Sequence, residues 1–114
     1  KSFFFFEKKK TRDFKKKRMI VENPEDYVFV RFEKSHLKHK KYDAVIRKKR
    51  TKSVFKIIPF GQVGYSQYKD NTGLGLYSNV DHKDNERRRL YKLRHRGENE
   101  RKFSSGYFSW KYLW

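Results

Sequence analysis

A run of arginines in the second half of the sequence carries its clearest chemical signal. Arg87, Arg88 and Arg89 are consecutive, and Lys92 and Arg94 follow them closely. An arginine guanidinium presents a planar fork of N–H donors that fits a carboxylate or a phosphate, so this cluster predicts a contact site for an acidic partner. A basic helix that is merely solvated is the alternative interpretation.

A second basic cluster consists of Lys48, Lys49 and Arg50, with Lys52 close behind. It falls between two stretches with the composition of strands, so we expect it at the tip of a hairpin. A basic hairpin tip can reach a nucleic-acid groove or a neighbouring protein equally well, and the sequence leaves both open.

The first 18 residues form a third basic stretch, with nine basic side chains, two acidic ones and the run Phe3–Phe6. Such runs of like charge are usually solvated or disordered until a partner neutralises them, so we predict a basic N-terminal arm over residues 1–24 and one small domain over residues 25–114. The alternative is an arm that an acidic surface orders, with the phenylalanines as its anchor. The arm residues predicted to contact a partner are Phe3, Phe4, Phe5, Phe6, Lys8, Lys9, Lys10, Lys15, Lys16 and Lys17.

The histidines give weaker signals. His36 and His39 lie among lysines that would repel a cation, and the sequence has no cysteine, so a zinc site is disfavoured. His82 lies between Asp81 and Asp84 and could belong to an acid–base cluster. Carboxylates beside a basic helix more often cap the helix or pair with arginine, so capping is the favoured interpretation.

Two glycine-rich stretches, residues 61–64 and 73–75, resemble phosphate-binding loops only superficially. Neither has the Lys-Ser/Thr of a P-loop or the spacing of a dinucleotide fingerprint, and glycine at these positions more simply supplies positive φ in turns. We therefore predict no catalytic residue, no cofactor, no metal, no small-molecule substrate and no enzyme activity.

Overall charge points to a negative partner. The 114 residues include 31 lysines and arginines against 13 acidic residues, a formal charge of +18. Residues 1–59 hold 20 basic and 7 acidic residues, whereas residues 60–114 hold 11 and 6. Uncompensated charge opposes compaction, so phosphates or acidic protein surfaces are expected to supply the counter-charge. The run Phe3–Phe6 is far shorter than the roughly 20 apolar residues of a spanning helix, so no membrane span is predicted.

Three segments rich in β-branched and aromatic residues predict strands, over 27–32, 42–47 and 54–60. The last two are joined by a short polar turn, as in an antiparallel hairpin. Proline cannot donate to a ladder, so the residues near Pro59 are expected on a sheet edge or outside the sheet. A basic loop over 34–41 and an irregular, aromatic-rich loop over 61–80 complete this part of the chain.

Two helices are predicted after the strands. Asp84 is a candidate N-cap for residues 85–96, with Gly97 as the stop signal. Ser104 or Ser105 could cap a last helix, in which the aromatic stripe Tyr107, Trp110 and Trp114 is expected to pack in the core or, alternatively, to face a partner. The fold class is therefore α+β, a small antiparallel sheet (a hairpin plus one strand) with two C-terminal helices packed on it and a basic N-terminal arm.

Three ordered blocks of residues resemble a known family. The pattern is FG-x-x-GY, then H-x-D-x-x-R-R followed by RH, then a tryptophan-rich end; it corresponds here to Phe60–Tyr65, His82–Arg88, Arg94-His95 and Phe108–Trp114. It resembles small basic proteins encoded by nucleocytoplasmic large DNA viruses (giant viruses), with relatives in some algae and protists. Val63 departs from the small or basic residue common in the first block, and residues 1–39 have no match.

The resemblance implies a virion context but no catalytic residues, since the family has no established biochemical activity. We expect a structural virion protein, a minor capsid or capsid-associated component on the inner face of the capsid, made in the infected host cell. It would bridge larger capsid subunits by binding their acidic surfaces through basic and aromatic contacts. The alternative is a sequence-nonspecific nucleic-acid-binding protein, which packages DNA or sits in a ribosome-like particle. An enzyme that uses His82 and Asp84 is the third possibility.

Overall fold

A three-stranded antiparallel sheet is the centre of the fold in the computed structural model, which describes residues 21–114. The strands are β1 (Tyr27–Lys34), β2 (Lys40–Lys48) and β3 (Phe55–Gln62), in the order β1-β2-β3. The predicted α+β class is confirmed, and the three predicted strands are present with somewhat different bounds. The predicted contacts of the arm, from Phe3 to Lys17, lie outside the described residues.

One face of the sheet carries the core because apolar residues alternate along the strands. Tyr42 of β2 lies opposite Phe60 of β3, and Ala44 lies between Phe32 of β1 and Ile58 of β3. Directly opposed residues share a face, so these side chains point to the same side of the sheet. Val21, upstream of the predicted domain start at residue 25, also packs in this core.

Pro59 lies in the edge strand β3, one of the two places predicted for it. It pairs in register with Asp43, and the strand continues beyond it to Gln62. Its carbonyl oxygen accepts a hydrogen bond of 2.7 Å from the Ser105 hydroxyl. The Pro59 carbonyl thus bonds outside the sheet, and the N–H position of the same residue points to that side as well. The missing N–H therefore removes no hydrogen bond to β2.

Both predicted helices begin at their predicted caps. Helix α1 (Asn85–Arg94) begins after Asp84, whose carboxylate accepts hydrogen bonds from the backbone N–H groups of Glu86 and Arg87 at 2.9 and 3.1 Å. It ends two residues earlier than predicted, before Gly97 adopts a φ of 94°. Helix α2 (Ser105–Tyr112) begins after Ser104, whose hydroxyl caps the N–H of Tyr107 at 3.1 Å.

The C-terminal segment docks on the core mainly through Phe108 and Leu113, while Tyr107 and Trp114 of the predicted aromatic stripe pack against its edge. Phe108 is 1 % exposed and Leu113 is also buried, whereas Trp110 and Trp114 are only partly buried. The Phe108 ring lies 5.5 Å from that of Phe60. The helix therefore presents its Phe108 side to the sheet. Of the two tryptophans predicted to complete the core, Trp114 packs against it while partly exposed, and Trp110 lies outside it.

The prediction that both helices pack on the sheet is wrong for helix α1. None of its residues is buried, and Leu90 and Leu93 are 36 % and 52 % exposed. Its apolar surface is too small to form a core face, since basic residues occupy most of its circumference. It is attached instead through the C-terminal tryptophan: the Tyr91 and Trp114 rings stack 4.2 Å apart, and Arg88 Nε donates to the Trp114 carbonyl oxygen at 2.8 Å.

A buried polar network holds the loop over residues 63–84 against the sheet. Lys41 Nζ donates to Gln67 Oε1 at 2.7 Å, and Gln67 Nε2 donates to Asp81 Oδ1 at 2.7 Å. The Tyr42 hydroxyl donates to the Asp70 carboxylate. Lys41, expected in a solvated basic loop, is thus 2 % exposed, and burial lowers its pKa although Asp70 and Asp81 partly offset the effect.

Glycine supplies positive φ at the end of β3 and in the loop that follows, as predicted. Gly61 and Gly64 have φ of 80° and 96°, in the region that side chains disfavour. A Cβ on Gly61 would also lie 3.0 Å from the Leu113 side chain. Among residues 21–114, no helix combines the length and apolar character needed to cross a bilayer.

Candidate partner-binding groove

A groove of about 1250 Å³ separates helix α1 from the end of the sheet at which β2 begins and β3 ends. Helix α1 forms one wall, the start of β2 and the end of β3 form the other, and the C-terminal segment forms the floor. The groove is lined by His39, Lys40, Tyr65, Arg87, Leu90, Tyr91, Arg94, Leu113 and Trp114, among others.

The α1 wall consists of Arg87, Leu90, Tyr91 and Arg94. Their spacing of i, i+3, i+4 and i+7 places them on one face of the helix. This is the face that would pack on a core in an ordinary amphipathic helix. Here it borders an open groove, which explains why Leu90 is one-third exposed although it points toward the rest of the protein.

The groove combines positive charge with an apolar floor. Lys40 lies on the sheet side and Arg87 and Arg94 on the helix side. Glu98 is the acidic residue among the described lining residues, and its carboxylate lies 2.8 Å from His95 Nδ1. The floor includes Leu113 and Trp114, so an acidic ligand with an apolar side chain matches both properties of the groove.

The predicted basic residues of α1 have different surroundings. Arg88 is held inside the fold by the Trp114 carbonyl, and its guanidinium lies 4.7 Å from the centre of the Tyr68 ring. Arg89 pairs with Glu86 at 2.5 Å on the exposed side of the helix.

The other three residues, Arg87, Lys92 and Arg94, differ in whether they line the groove. Arg87 lines the groove and donates from Nη2 to the Ser66 hydroxyl at 2.7 Å, and Arg94 lines the groove as well. Lys92 lies outside the groove, with its ammonium 5.2 Å from the centre of the Trp110 ring. Its pKa is lowered by burial and by Arg88. Of the predicted cluster, the structure thus brings only Arg87 and Arg94 to the groove.

The second predicted cluster lies at the opposite end of the sheet. Lys48 pairs with Tyr27 at the end of β2, and Lys49 and Arg50 are exposed in the turn that follows. Lys40, beside the groove, lies at the other end of the same strand. Lys48 follows Lys40 by eight positions along the strand, a distance of about 25 Å. The structure does not bring the two clusters together.

The basic loop predicted over residues 34–41 contains a specific contact between His36 and Asp43. His36 Nδ1 lies 2.6 Å from a carboxylate oxygen of Asp43, and the Asp43 side chain is buried. The same carboxylate accepts the Ser35 hydroxyl at 2.7 Å, so this carboxylate anchors the turn into β2. Among residues 21–114, no three side chains of the types that ligate metals come together to form a site.

His82 takes part in capping rather than in an acid–base cluster. Its Nδ1 accepts the backbone N–H of Asp84 at 2.9 Å, and Asp84 in turn caps α1. Nε2 then carries the proton, is buried and has no hydrogen-bond partner among the described residues. Burial and the nearby Arg87 lower the pKa of His82 more than Asp84 and Asp81 raise it.

We expect the start of α1 to loosen in acid because a protonated His82 cannot accept the Asp84 N–H. The folded-state pKa of His82 lies below the unfolded value of about 6.5. The stabilisation is therefore complete above pH 6.5 and is lost as the pH falls through the folded-state pKa. An NMR titration of the imidazole C–H resonances measures the pKa directly. A His82→Gln variant should lose this part of the pH dependence, and a measured pKa above 6.5 would contradict the expectation.

Most of the groove was not predicted from the sequence. His39, Lys40, Tyr65, Leu90 and Trp114 line it, although the sequence suggests no common function for them. One signal was present: Arg87, Leu90, Tyr91 and Arg94 share a helix face on which two apolar residues lie between two basic ones. A helix with such a mixed face is better suited to a groove than to a core.

The fold defines a small α+β protein with three antiparallel strands and two helices in its described part. Comparisons with protein-family models, with curated proteins and with solved structures found no match to this chain. The groove and the two basic clusters are therefore interpreted from their own geometry.

Proposed function

We propose that this chain is a non-enzymatic structural protein that bridges two acidic protein surfaces. The observation that carries the proposal is the separation of the two basic clusters. The groove lies at one end of the sheet and the hairpin tip at the other, about 25 Å apart along β2. Clusters that contact one partner would be expected on one continuous surface, whereas clusters at opposite ends suit two partners.

The sheet between the clusters suits a spacer. β2 is the central strand and pairs with a neighbour on both sides, and its interior residues from Lys41 to Ile46 are buried. A strand held by two ladders resists bending and local opening, so the distance between the two ends is well defined. A bridging protein needs such a fixed distance if it sets the spacing of larger subunits.

The three motif blocks suggest where the bridge acts. Because they resemble those of small basic proteins of giant viruses, we propose that the chain is a minor capsid or capsid-associated component of a virion. In this setting charge-assisted hydrogen bonds to acidic capsid surfaces supply the counter-charge, and the arm residues from Phe3 to Lys17 provide further contacts. This context rests on the resemblance and on the charge.

Cross-linking of purified particles tests the proposal. We expect the protein to stay with the shell when the particle is opened and treated with nuclease. Lys49 and Lys52 should cross-link to one capsid surface, and Lys40, which lines the groove, to another. Release of the protein by nuclease, or cross-links from both ends to the same surface, would contradict the bridging function.

Nucleic-acid binding is the second candidate, and one observation favours it. The Tyr65 ring is 68 % exposed and lines the same groove as Arg87 and Lys40, an arrangement that suits base stacking next to phosphate contacts. Binding of single-stranded DNA should then weaken steeply and linearly in log salt. Fluorescence anisotropy with a labelled oligothymidylate measures this slope.

A further inference from the structure

We infer that the groove beside α1 binds an extended acidic segment of a partner protein, anchored by one apolar side chain. This inference rests on the proposed function, because it names the class of partner at one of the two ends. It follows from three features of the groove, namely its apolar centre, its basic rim and the spacing between them.

The apolar centre consists of Leu90 on the helix wall and of Leu113 and Trp114 in the C-terminal segment. All three line the groove, and Leu90 is left one-third exposed. Tyr91 stacks on Trp114 with an interplanar angle of 2°, so that side of the groove has a flat aromatic wall. An apolar side chain inserted here would remove Leu90 from water and be enclosed by apolar groups.

The basic rim lies on both sides of this centre. Arg87 and Arg94 precede and follow Leu90 along the helix, and Lys40 lies across the groove. Seven residues of helix place the two arginines about 10 Å apart along the axis. In a peptide with the extended polyproline II conformation, residues three apart lie on the same side of the chain and are separated by a similar distance of about 9 Å. An acidic residue at each of these positions, with an apolar residue between them, would match Arg87, Leu90 and Arg94 in order.

The same features disfavour nucleic acid as the occupant of this groove. Phosphates would match the rim and a base could stack on Tyr65, but a nucleic acid has no aliphatic side chain for the centre at Leu90. Carboxylates on a peptide satisfy the rim and leave the intervening side chain free to fill the centre. Charge and apolar surface together therefore favour an acidic peptide.

Trp114 provides an intrinsic probe for the test, since it lines the groove and Trp110 does not. The full chain carrying Trp110→Phe retains Trp114 as its only tryptophan. It is titrated with a peptide that places Glu-Gly-Leu-Glu in a glycine-serine background. We expect saturable quenching or a shift of the Trp114 emission, and no change in a Trp114→Phe chain that retains Trp110.

Two matched comparisons test the anchor. Leu90 lines the groove and Leu93, on the same helix, does not. Leu90→Asn should weaken peptide binding about tenfold, whereas Leu93→Asn should leave it unchanged. The peptide with serine in place of leucine should likewise bind the unaltered groove about tenfold more weakly, and this control does not depend on the folding of any leucine variant.

The rim is tested in the same way. Arg94→Gln should weaken binding, and Arg101→Gln, which removes a charge outside the groove, should have little effect. Equal binding of the leucine and serine peptides, or equal effects of the Leu90 and Leu93 variants, would overturn the inference. So would a preference for an oligothymidylate of the same charge. Cross-links from both ends of the sheet in particles, with no peptide binding in the groove, would refute this inference while leaving the bridging function intact.

Discussion

Replacing Phe108 with alanine is expected to lower the free energy of unfolding by about 4 kcal/mol. The ring is 1 % exposed and lies 5.5 Å from Phe60, 5.9 Å from Phe103 and 6.0 Å from Phe32, measured between ring centroids. It therefore joins the last helix to the sheet at the centre of the core. Urea denaturation followed by circular dichroism measures the loss.

Trp110→Ala is the matched control for this prediction. Trp110 lies on the same helix, but it is only partly buried, and the Lys92 ammonium lies 5.2 Å from the centre of its ring. Its removal should lower the free energy of unfolding by about 1 kcal/mol, because the partly exposed ring buries little apolar surface. An equal loss of stability in the two variants would show that the tryptophan belongs to the core after all.

Tyr42→Phe is expected to cost about 2 kcal/mol, because the hydroxyl is a buried junction between the sheet and the loop over residues 63–84. It donates to the Asp70 carboxylate and accepts the backbone N–H of Leu76 at 2.9 Å. Phenylalanine keeps the packing of the ring but leaves both groups without this partner. Phe60→Leu, an apolar change at the opposite position in the sheet, separates loss of packing from loss of the network.

The same tyrosine should make stability depend on pH in alkali. Burial and the hydrogen bond to Asp70 raise the pKa of Tyr42 to about 12, above its unfolded value of about 10. The protonated hydroxyl stabilises the fold at all pH values below the unfolded pKa, and this contribution is lost as the pH rises from about 10 to 12. The slope of unfolding free energy against pH in this range should be smaller in Tyr42→Phe. An unchanged slope would contradict the assignment.

Asp70 should contribute a dependence of opposite sense in acid. Burial alone would raise its pKa, but hydrogen bonds from Thr72 and Tyr42 outweigh burial and hold the pKa below its usual value. The ionised carboxylate therefore stabilises the fold above the unfolded pKa, and this contribution decreases as the pH falls below about 4. The network that anchors the loop is thus expected to be most stable between these two limits.

In the proposed bridge, the two basic clusters would respond differently to salt. The hairpin tip is exposed, so its contacts with an acidic surface should weaken with added salt. The groove adds apolar contacts around Leu90, Leu113 and Trp114, which salt does not screen. A bridge built in this way would release first at the hairpin tip as the ionic strength rises.

The sequence by itself determined the local structure of this protein. Segments rich in β-branched and aromatic residues predicted the strands, Asp84 and the serines predicted the helix starts, and the glycines predicted the turns. These signals depend on neighbours within a few positions. The α+β class followed from their order. The excess of basic residues predicted an acidic partner, although not where on the surface it binds.

Tertiary structure decided which faces of these elements meet. It turned Phe108 rather than Trp110 toward the sheet, because the docking angle of a helix depends on the shape of the whole core. It buried Lys41 through partners 26 residues away and held α1 beside the sheet through Trp114. The groove exists only because these distant segments meet, and no local pattern in a sequence encodes such a meeting.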